Sequence, residues 1–203
     1  MGGISREQGM NRAVFLDRDG TVNVEVGYLS SLDQLQLVTG AGAAIKRMNE
    51  AGLLVVLITN QSGVARGYFS EAFVHDTHAL LKKMLQEHGA RLDGIYYCPH
   101  HPKAGASSYT RECDCRKPRT GLLDQAAREL DIDLKASCMV GDKWSDVELG
   151  QRAGMRTVLV KSGFGPDDPG NVRPGHVHEP DLVAHSIHEA ADWILEHIRA
   201  GER

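Results

Sequence analysis

Hydrophobic positions in this chain fall in short unbroken runs set between longer stretches of helical period. Five runs, Ala13–Leu16, Leu53–Ile58, Ile95–Tyr97, Cys138–Val140 and Thr157–Val160, have the length and β-branched content of buried strands. Helix-period segments separate most of them. Ala43–Ala51 carries Ile45 and Met48 on one face, and Ser70 is the expected N-cap of a helix running to about His88 with Leu80, Leu81, Met84 and Leu85 inward. Gly121–Leu130 and Asp146–Ala153 follow, and Ser186-x-x-Glu189 has the form of a capping box opening a last helix with Ile194 and Ile198 inward. Strands alternating with helices predict an α/β fold, a Rossmann-like parallel sheet with helices on both faces. Thr21–Leu37 lacks a clean helical period and is expected to form an irregular turn and a hairpin flap. Gly163–Pro180, rich in Gly, Pro and Asp, reads as a long surface loop.

In such a sheet, ligands bind in the crevice at the carboxyl ends of the strands. Chemistry-bearing residues stand at four of these ends: Asp17, Thr59, Cys98, and Asp142 after Gly141. The richest is Asp17-Arg18-Asp19-Gly20-Thr21, directly after Ala13–Leu16. Two carboxylates at spacing two lean to the same side of an extended chain. Asp and Gly also populate ordinary turns, so this segment alone is compatible with a polar strand end. Taken together, the stations complement one another. Asp17 is suited to attack phosphorus and Asp19 to move protons. Thr59 can donate a hydroxyl hydrogen bond to a phosphoryl oxygen, and Lys117 supplies positive charge. Asp17, Asp142 and the Asp19 backbone carbonyl form an oxygen-rich set suited to Mg²⁺.

Composition narrows the class without changing it. The chain has 203 residues, 41% hydrophobic and 25% charged, which suits one well-cored domain, 1–203, with residues 1–12 expected as a flexible N-terminus. A net charge of −4 offers no global basic field to recruit nucleic acid. No apolar run approaches the roughly 20 residues of a membrane helix, and the N-terminus lacks an apolar signal core. A cytoplasmic location is expected. In that compartment four cysteines point to metal or catalysis before disulfides.

The residues resemble the haloacid dehalogenase superfamily of phosphatases. Asp17-x-Asp19-Gly20-Thr21 is similar to its first motif, Thr59-Asn60 to its second, Lys117 to its third, and Gly141-Asp142-x-x-x-Asp146 to its fourth. Asp146 is expected to cap or orient the turn after Asp142. Lys143 is either a solvated lysine or a substrate contact. Members often carry a cap domain after the first or second motif. Only 41 residues lie between Asp17 and Thr59, and 57 between Thr59 and Lys117, so neither interval has room for one. The cleft is expected to be open, with loops setting specificity.

One loop stands out. Cys98-Pro99-His100, twelve further residues, then Cys113-Asp114-Cys115 offers three sulfurs and an imidazole, a set that closes tetrahedrally on structural zinc. His101 competes with His100 as the fourth ligand, and spacing does not separate the two. Cys138, inside an apolar run, reads as a core residue. The loop leads directly into Arg116-Lys117-Pro118. Tyr97–Pro102 together with Cys113–Pro118 is similar to the zinc-bearing, capless branch of heptose-bisphosphate and histidinol-phosphate phosphatases. That resemblance runs from Ala13 to about Ser162. It implies zinc ligands Cys98, His100, Cys113 and Cys115. It also implies substrate contacts at Glu25 and Tyr28 on the flap, at Thr59, Asn60, Gln61 and Ser62, and at Arg116, Lys117 and Lys143.

The expected reaction is Mg²⁺-dependent removal of the C7 phosphate of D-glycero-D-manno-heptose 1,7-bisphosphate through an aspartyl-phosphate, in heptose-nucleotide and lipopolysaccharide synthesis. The chain ends at Arg203 without a second catalytic domain, and Lys103, Arg111 and Arg116 suit a second anionic group better than a cationic amine. Histidinol phosphate is the alternative substrate. A zinc-stabilised binding module with a dead phosphatase fold is a reading from a different class. The partner is a small sugar bisphosphate, with no nucleic acid and no membrane, and the expected oligomeric state is a monomer.

Overall fold

The computed structural model describes residues 10–105 and 108–198. Six strands form one parallel sheet: β1 (Ala13–Leu16), β2 (Leu54–Asn60), β3 (Gly94–Cys98), β4 (Cys138–Gly141), β5 (Arg156–Val160) and β6 (Leu182–Ala184). Their spatial order is β3-β2-β1-β4-β5-β6, so the winding reverses at β1. Helices α1 (Ala41–Glu50), α2 (Glu71–Glu87), α3 (Gly121–Leu130), α4 (Trp144–Arg152) and α5 (Ile187–His197) fill the crossovers and the C-terminal side. No helix among the described residues is long and apolar enough to cross a membrane.

The alternation of strand side chains builds two cores. Val14, Leu16, Val55, Leu57, Cys138 and Val140 pack with α1, α2 and α5, while Ala13, Phe15, Val56, Ile58 and Met139 pack with α3 and α4. Cys138 is fully buried in the first of these, as its place in an apolar run implied.

The predicted elements are present with small shifts. Ser70 caps α2 by accepting from the Phe73 amide at 3.2 Å. Along α2, Leu81 and Leu85 are buried, whereas Leu80 and Met84 are only half-buried. Val74, Thr77 and His78 complete the inward stripe instead. Ser186 caps α5 by accepting from the Glu189 amide, but the Glu189 carboxylate reaches back to the His185 amide, one residue before the cap. The sixth strand was not expected. Its three residues are too few to show periodicity, and they are placed by Asp181, whose side chain accepts from the Thr157 amide while its own amide donates to the Thr157 carbonyl.

Thr21–Leu37 forms the expected flap. It is closed by an antiparallel bridge between Asn23 and Leu37 and by a 3-10 turn over Leu32–Gln34. The 163–180 loop is long but pinned. Asn171 is buried, donates to the Asp142 and Gly165 carbonyls and accepts from the Trp144 amide. The expected flexible N-terminus falls mainly on residues 1–9, outside the described residues. Asn11 is held by its amide to the Asp131 carbonyl and by its side chain to the Leu130 carbonyl.

Candidate active site

Asp17 follows β1 and Asp142 follows β4, and the register brings them together. Leu16 pairs with Val140, and the Asp17 amide donates to the Val140 carbonyl at 2.9 Å. This is the switch point where winding reverses, the place at which open α/β sheets bind ligands. Asp17, Asp142 and Asp146 are all buried and bring one carboxylate oxygen each within 4.8 Å of one another. Gly20 lies so close that a Cβ there would overlap the Asp142 carboxylate, and its φ of +79° independently favours glycine.

Lys117 neutralises part of this charge. Its Nζ lies 2.8 Å from Asp17 and 2.6 Å from Asp146, and donates to the Ile58 carbonyl at 3.0 Å. Burial disfavours its cation, yet Asp146 and Asp17 outweigh that and hold its pKa above the usual lysine value. Three carboxylates still exceed one ammonium. Burial, then repulsion from Asp17 and Asp146, pushes Asp142 up to about 8. Burial and the Asp17 charge, opposed by Lys117, leave Asp146 near 6. The Asp142 Oδ1 atom is buried without a hydrogen-bond partner. An unpartnered buried carboxylate oxygen on a member of such a trio fits a hard divalent cation with oxygen ligands. Asp146 also accepts from the Lys143 amide at 3.1 Å, the capping contact expected from the sequence.

Asp19 takes a separate position. Its carboxylate is held by the Arg18 guanidinium at 2.8–3.1 Å, by Asn23 at 3.0 Å and by Gln61 at 2.9 Å. Burial pushes its pKa up, but the Arg18 charge and these donors prevail and lower it. Thr59 is buried and accepts from Gln61 Nε2, and it is absent from the residues lining the adjoining cleft. That cleft, of about 340 Å³, is lined among others by Asp19, Glu25, Tyr28, Asn60, Gln61, Ser62, Arg116, Lys117 and Lys143. Lys143 bonds Glu25 of the flap at 3.2 Å and covers the Phe164 ring at 4.3 Å. Arg18, Phe69, Ser145 and Phe164 also line the cleft and were missed. Arg18 stood between two singled-out aspartates, whereas Phe164 lies in a loop whose composition carries no signal.

The second cluster sits beside the first. Cys98 Sγ lies 3.5 Å from Cys113 Sγ and 3.2 Å from Cys115 Sγ, and His100 Nδ1 lies 3.3 Å from Cys115 Sγ. Tetrahedral zinc with ~2.3 Å bonds to sulfur would space its ligands only slightly wider. Burial, then the Arg111 charge, lowers the His100 pKa and so favours the neutral form, the one that ligates metal. Burial also raises the Cys98 and Cys115 thiols, so binding a zinc ion here would release protons. His101 points elsewhere. Its Nδ1 accepts from the Lys103 and Ala104 amides and closes the turn. Arg116 donates to the His100 carbonyl at 3.2 Å, tying the cluster to the cleft.

A parallel sheet with paired aspartates, a buried lysine and a carboxylate trio at the switch point defines a haloacid dehalogenase-type hydrolase. The HAD-hyrolase-like family model matches residues 114–190. The chain is 49% identical over 185 residues to the D-glycero-beta-D-manno-heptose-1,7-bisphosphate 7-phosphatase of Haemophilus ducreyi, an alignment covering 90% of this chain and 98% of the relative. It is 43% identical to the D-glycero-D-manno-heptose-1,7-bisphosphate 7-phosphatase of Thermosynechococcus vestitus, with 92% and 96% covered. Among solved structures it is similar to D,D-heptose 1,7-bisphosphate phosphatase from B. bronchiseptica, complexed with magnesium and phosphate. There the TM-score is 0.79 and the identity 34%, with 91% of this chain and 98% of that one covered. The chain belongs to the heptose-bisphosphate phosphatase family of haloacid dehalogenase-like hydrolases.

Proposed function

We propose that the protein is a Mg²⁺-dependent phosphatase that removes the C7 phosphate of D-glycero-D-manno-heptose 1,7-bisphosphate. The observation that carries this reading is the convergence of Asp17, Asp142, Asp146 and Lys117 beside a cleft whose lining includes Asp19 and Arg116. The relatives supply the sugar. Asp17 attacks phosphorus and becomes an aspartyl-phosphate, and Asp19 protonates the departing C7 alkoxide. Asp19 then takes a proton from the water that cleaves the acyl phosphate, releasing phosphate and restoring Asp17. Because Arg18 holds Asp19 ionised in the free protein, the negative charge of an arriving phosphate is needed to raise its proton affinity. Asp17 and Asp142, with Asp146 behind them, would hold Mg²⁺, which offsets the repulsion between carboxylate and phosphate. Lys117 fixes the Asp17 carboxylate and adds charge to the phosphoryl oxygens. Gln61 orients Asp19 and Thr59 together.

Cys98, His100, Cys113 and Cys115 would hold a structural zinc, since four protein ligands leave no open position. Glu25, Tyr28, Asn60, Ser62, Arg116 and Lys143 form the sugar-binding wall, with Arg116 toward the second phosphate. We extend the proposal to a single domain over 1–203 that acts as a cytoplasmic monomer in heptose-nucleotide synthesis.

The test is a rate panel with Mg²⁺ on both anomers of heptose bisphosphate, histidinol phosphate and a simple aryl phosphate. A heptose anomer is expected to be the best substrate. Faster turnover of histidinol phosphate would overturn the substrate assignment. Failure to release phosphate from any compound would overturn the enzymatic one.

A further inference from the structure

We propose that Arg66 and His101 form an oxyanion subsite beside the cleft, behind its lining residue Tyr28, where they receive the phosphate of the substrate that is not transferred. The inference rests on the bisphosphate reading above and adds two residues to it. Arg66 lies in the turn after β2. Its guanidinium covers the Tyr28 ring of the flap at 5.8 Å, and its Nη2 lies 3.3 Å from His101 Nε2.

The tautomer of His101 is set by its other nitrogen. Nδ1 accepts from the Lys103 amide at 3.1 Å and the Ala104 amide at 2.9 Å, so the proton sits on Nε2. An N–H of the imidazole therefore faces an N–H of the guanidinium, with no acceptor between them. Arg66 Nε is also buried without a partner. Neither Arg66 nor the neighbouring Arg116 pairs with a carboxylate among the described residues. A buried donor left unmatched, as Arg66 Nε is, is costly, and an arginine fork is the side chain best shaped for phosphate. Tyr28 and Arg116 both line the cleft, and the charges of Arg116 and Arg66 both act on the His101 ring. An anion arriving along that wall would accept from Arg66 Nη2 and His101 Nε2 at once and replace the facing of two donors. The docked zinc loop sets the pair's position, because a Cβ on Gly105 would overlap the Ala65 carbonyl, next to Arg66.

The alternative is that Arg66 only staples the flap to the zinc loop, and the two readings separate in substrate selectivity. The experiment compares heptose 1,7-bisphosphate with heptose 7-phosphate for the wild type, Arg66→Ala, Arg66→Lys and His101→Asn. Asparagine keeps a side-chain acceptor for the turn amides but loses the Nε2 donor. The wild type is expected to prefer the bisphosphate. Arg66→Ala should lose about ten- to a hundredfold in kcat/KM for the bisphosphate, mainly through KM, and at most about threefold for the monophosphate. Arg66→Lys should recover part of the loss. His101→Asn should show the same selectivity shift with its zinc content unchanged. Equal loss on both substrates would assign Arg66 to stapling and overturn the subsite, as would an unchanged bisphosphate rate in Arg66→Ala. If the wild type hydrolyses neither sugar phosphate, the failure lies with the proposed function instead.

Discussion

Asp17 and Asp19 are two residues apart and are held by different partners. Asp17 sits against Lys117 and the carboxylate trio, while Asp19 is gripped by Arg18, Asn23 and Gln61. Asp17→Asn should abolish turnover with the fold intact, because a carboxamide does not form the acyl phosphate. Asp19→Asn should retain the aspartyl-phosphate chemistry but slow it by roughly 10²–10⁴, the reach of one acid–base group. Steady-state rates together with thermal melts check both, and near-normal activity of the Asp17 variant would end the covalent reading. The raised pKa of Asp142 gives a pH dependence. In the metal-free native state Asp142 keeps its proton up to about pH 8, whereas in the unfolded chain it loses it near 4. Between those values the native state binds more protons, so its contribution to stability falls as pH rises. A bound Mg²⁺ would offset both the burial penalty on the Asp142 anion and its repulsion by Asp17 and Asp146. Its affinity should therefore climb toward pH 8, by at most about tenfold per unit for one displaced proton, and the melting-temperature gain from Mg²⁺ should be larger at pH 8 than at pH 5.5. A gain independent of pH would sever Asp142 from the cation site.

Among the elements, the zinc loop has the most to reveal because it holds few apolar residues of its own. The cysteine–histidine cluster orders its two ends, and Glu71 at the start of α2 accepts from Tyr109 at 2.5 Å and from Tyr97 at 2.9 Å to hold its flank. Freshly purified protein should contain about one zinc that survives mild dialysis, since structural zinc sites can be worth ~10–16 kcal/mol at neutral pH. Elemental analysis showing none, in protein prepared without strong chelators, would remove the site. Cys113→Ser should lose the metal and weaken recognition of the bisphosphate more than of an aryl phosphate, because the loop leads into Arg116 and carries no group that breaks the P–O bond. Helix α2 offers a simpler test. Ser70→Ala deletes the acceptor for the Phe73 amide and should cost about 0.5–2 kcal/mol in chemical denaturation, with kcat unchanged.

On the scale of the whole molecule, both clusters lie at the carboxyl ends of one sheet and are linked by the short segment from Cys115 to Lys117. Chelation should separate them. A weak chelator should abolish activity reversibly, with Mg²⁺ restoring it, while zinc stays bound and the protein stays folded, its melting temperature falling only by the Mg²⁺ contribution. If activity and fold are lost together under mild chelation, the two sites do not have the separate roles assigned to them.

The strand-and-helix order, the absence of room for a cap, the three cysteine positions of the metal cluster and the paired aspartates were legible in the chain because each depends on local period or spacing. Cys98 ends an apolar run and Ser70 precedes a helical one, and such signals survive without knowledge of the fold. Three-residue β6 left no trace, since its pairing is dictated by Asp181 reaching across to Thr157. The choice between His100 and His101 was equally closed to spacing. Adjacent residues in a turn point in different directions only once the turn exists, and here two backbone amides claim His101. The sequence by itself therefore determined the fold class and which residue types could do chemistry. Only the tertiary structure decided which of them meet, because parallel pairing brings Asp17 and Asp142, 125 positions apart in the chain, into one buried trio with Asp146. Burial and mutual repulsion, which no linear pattern encodes, then set their charges.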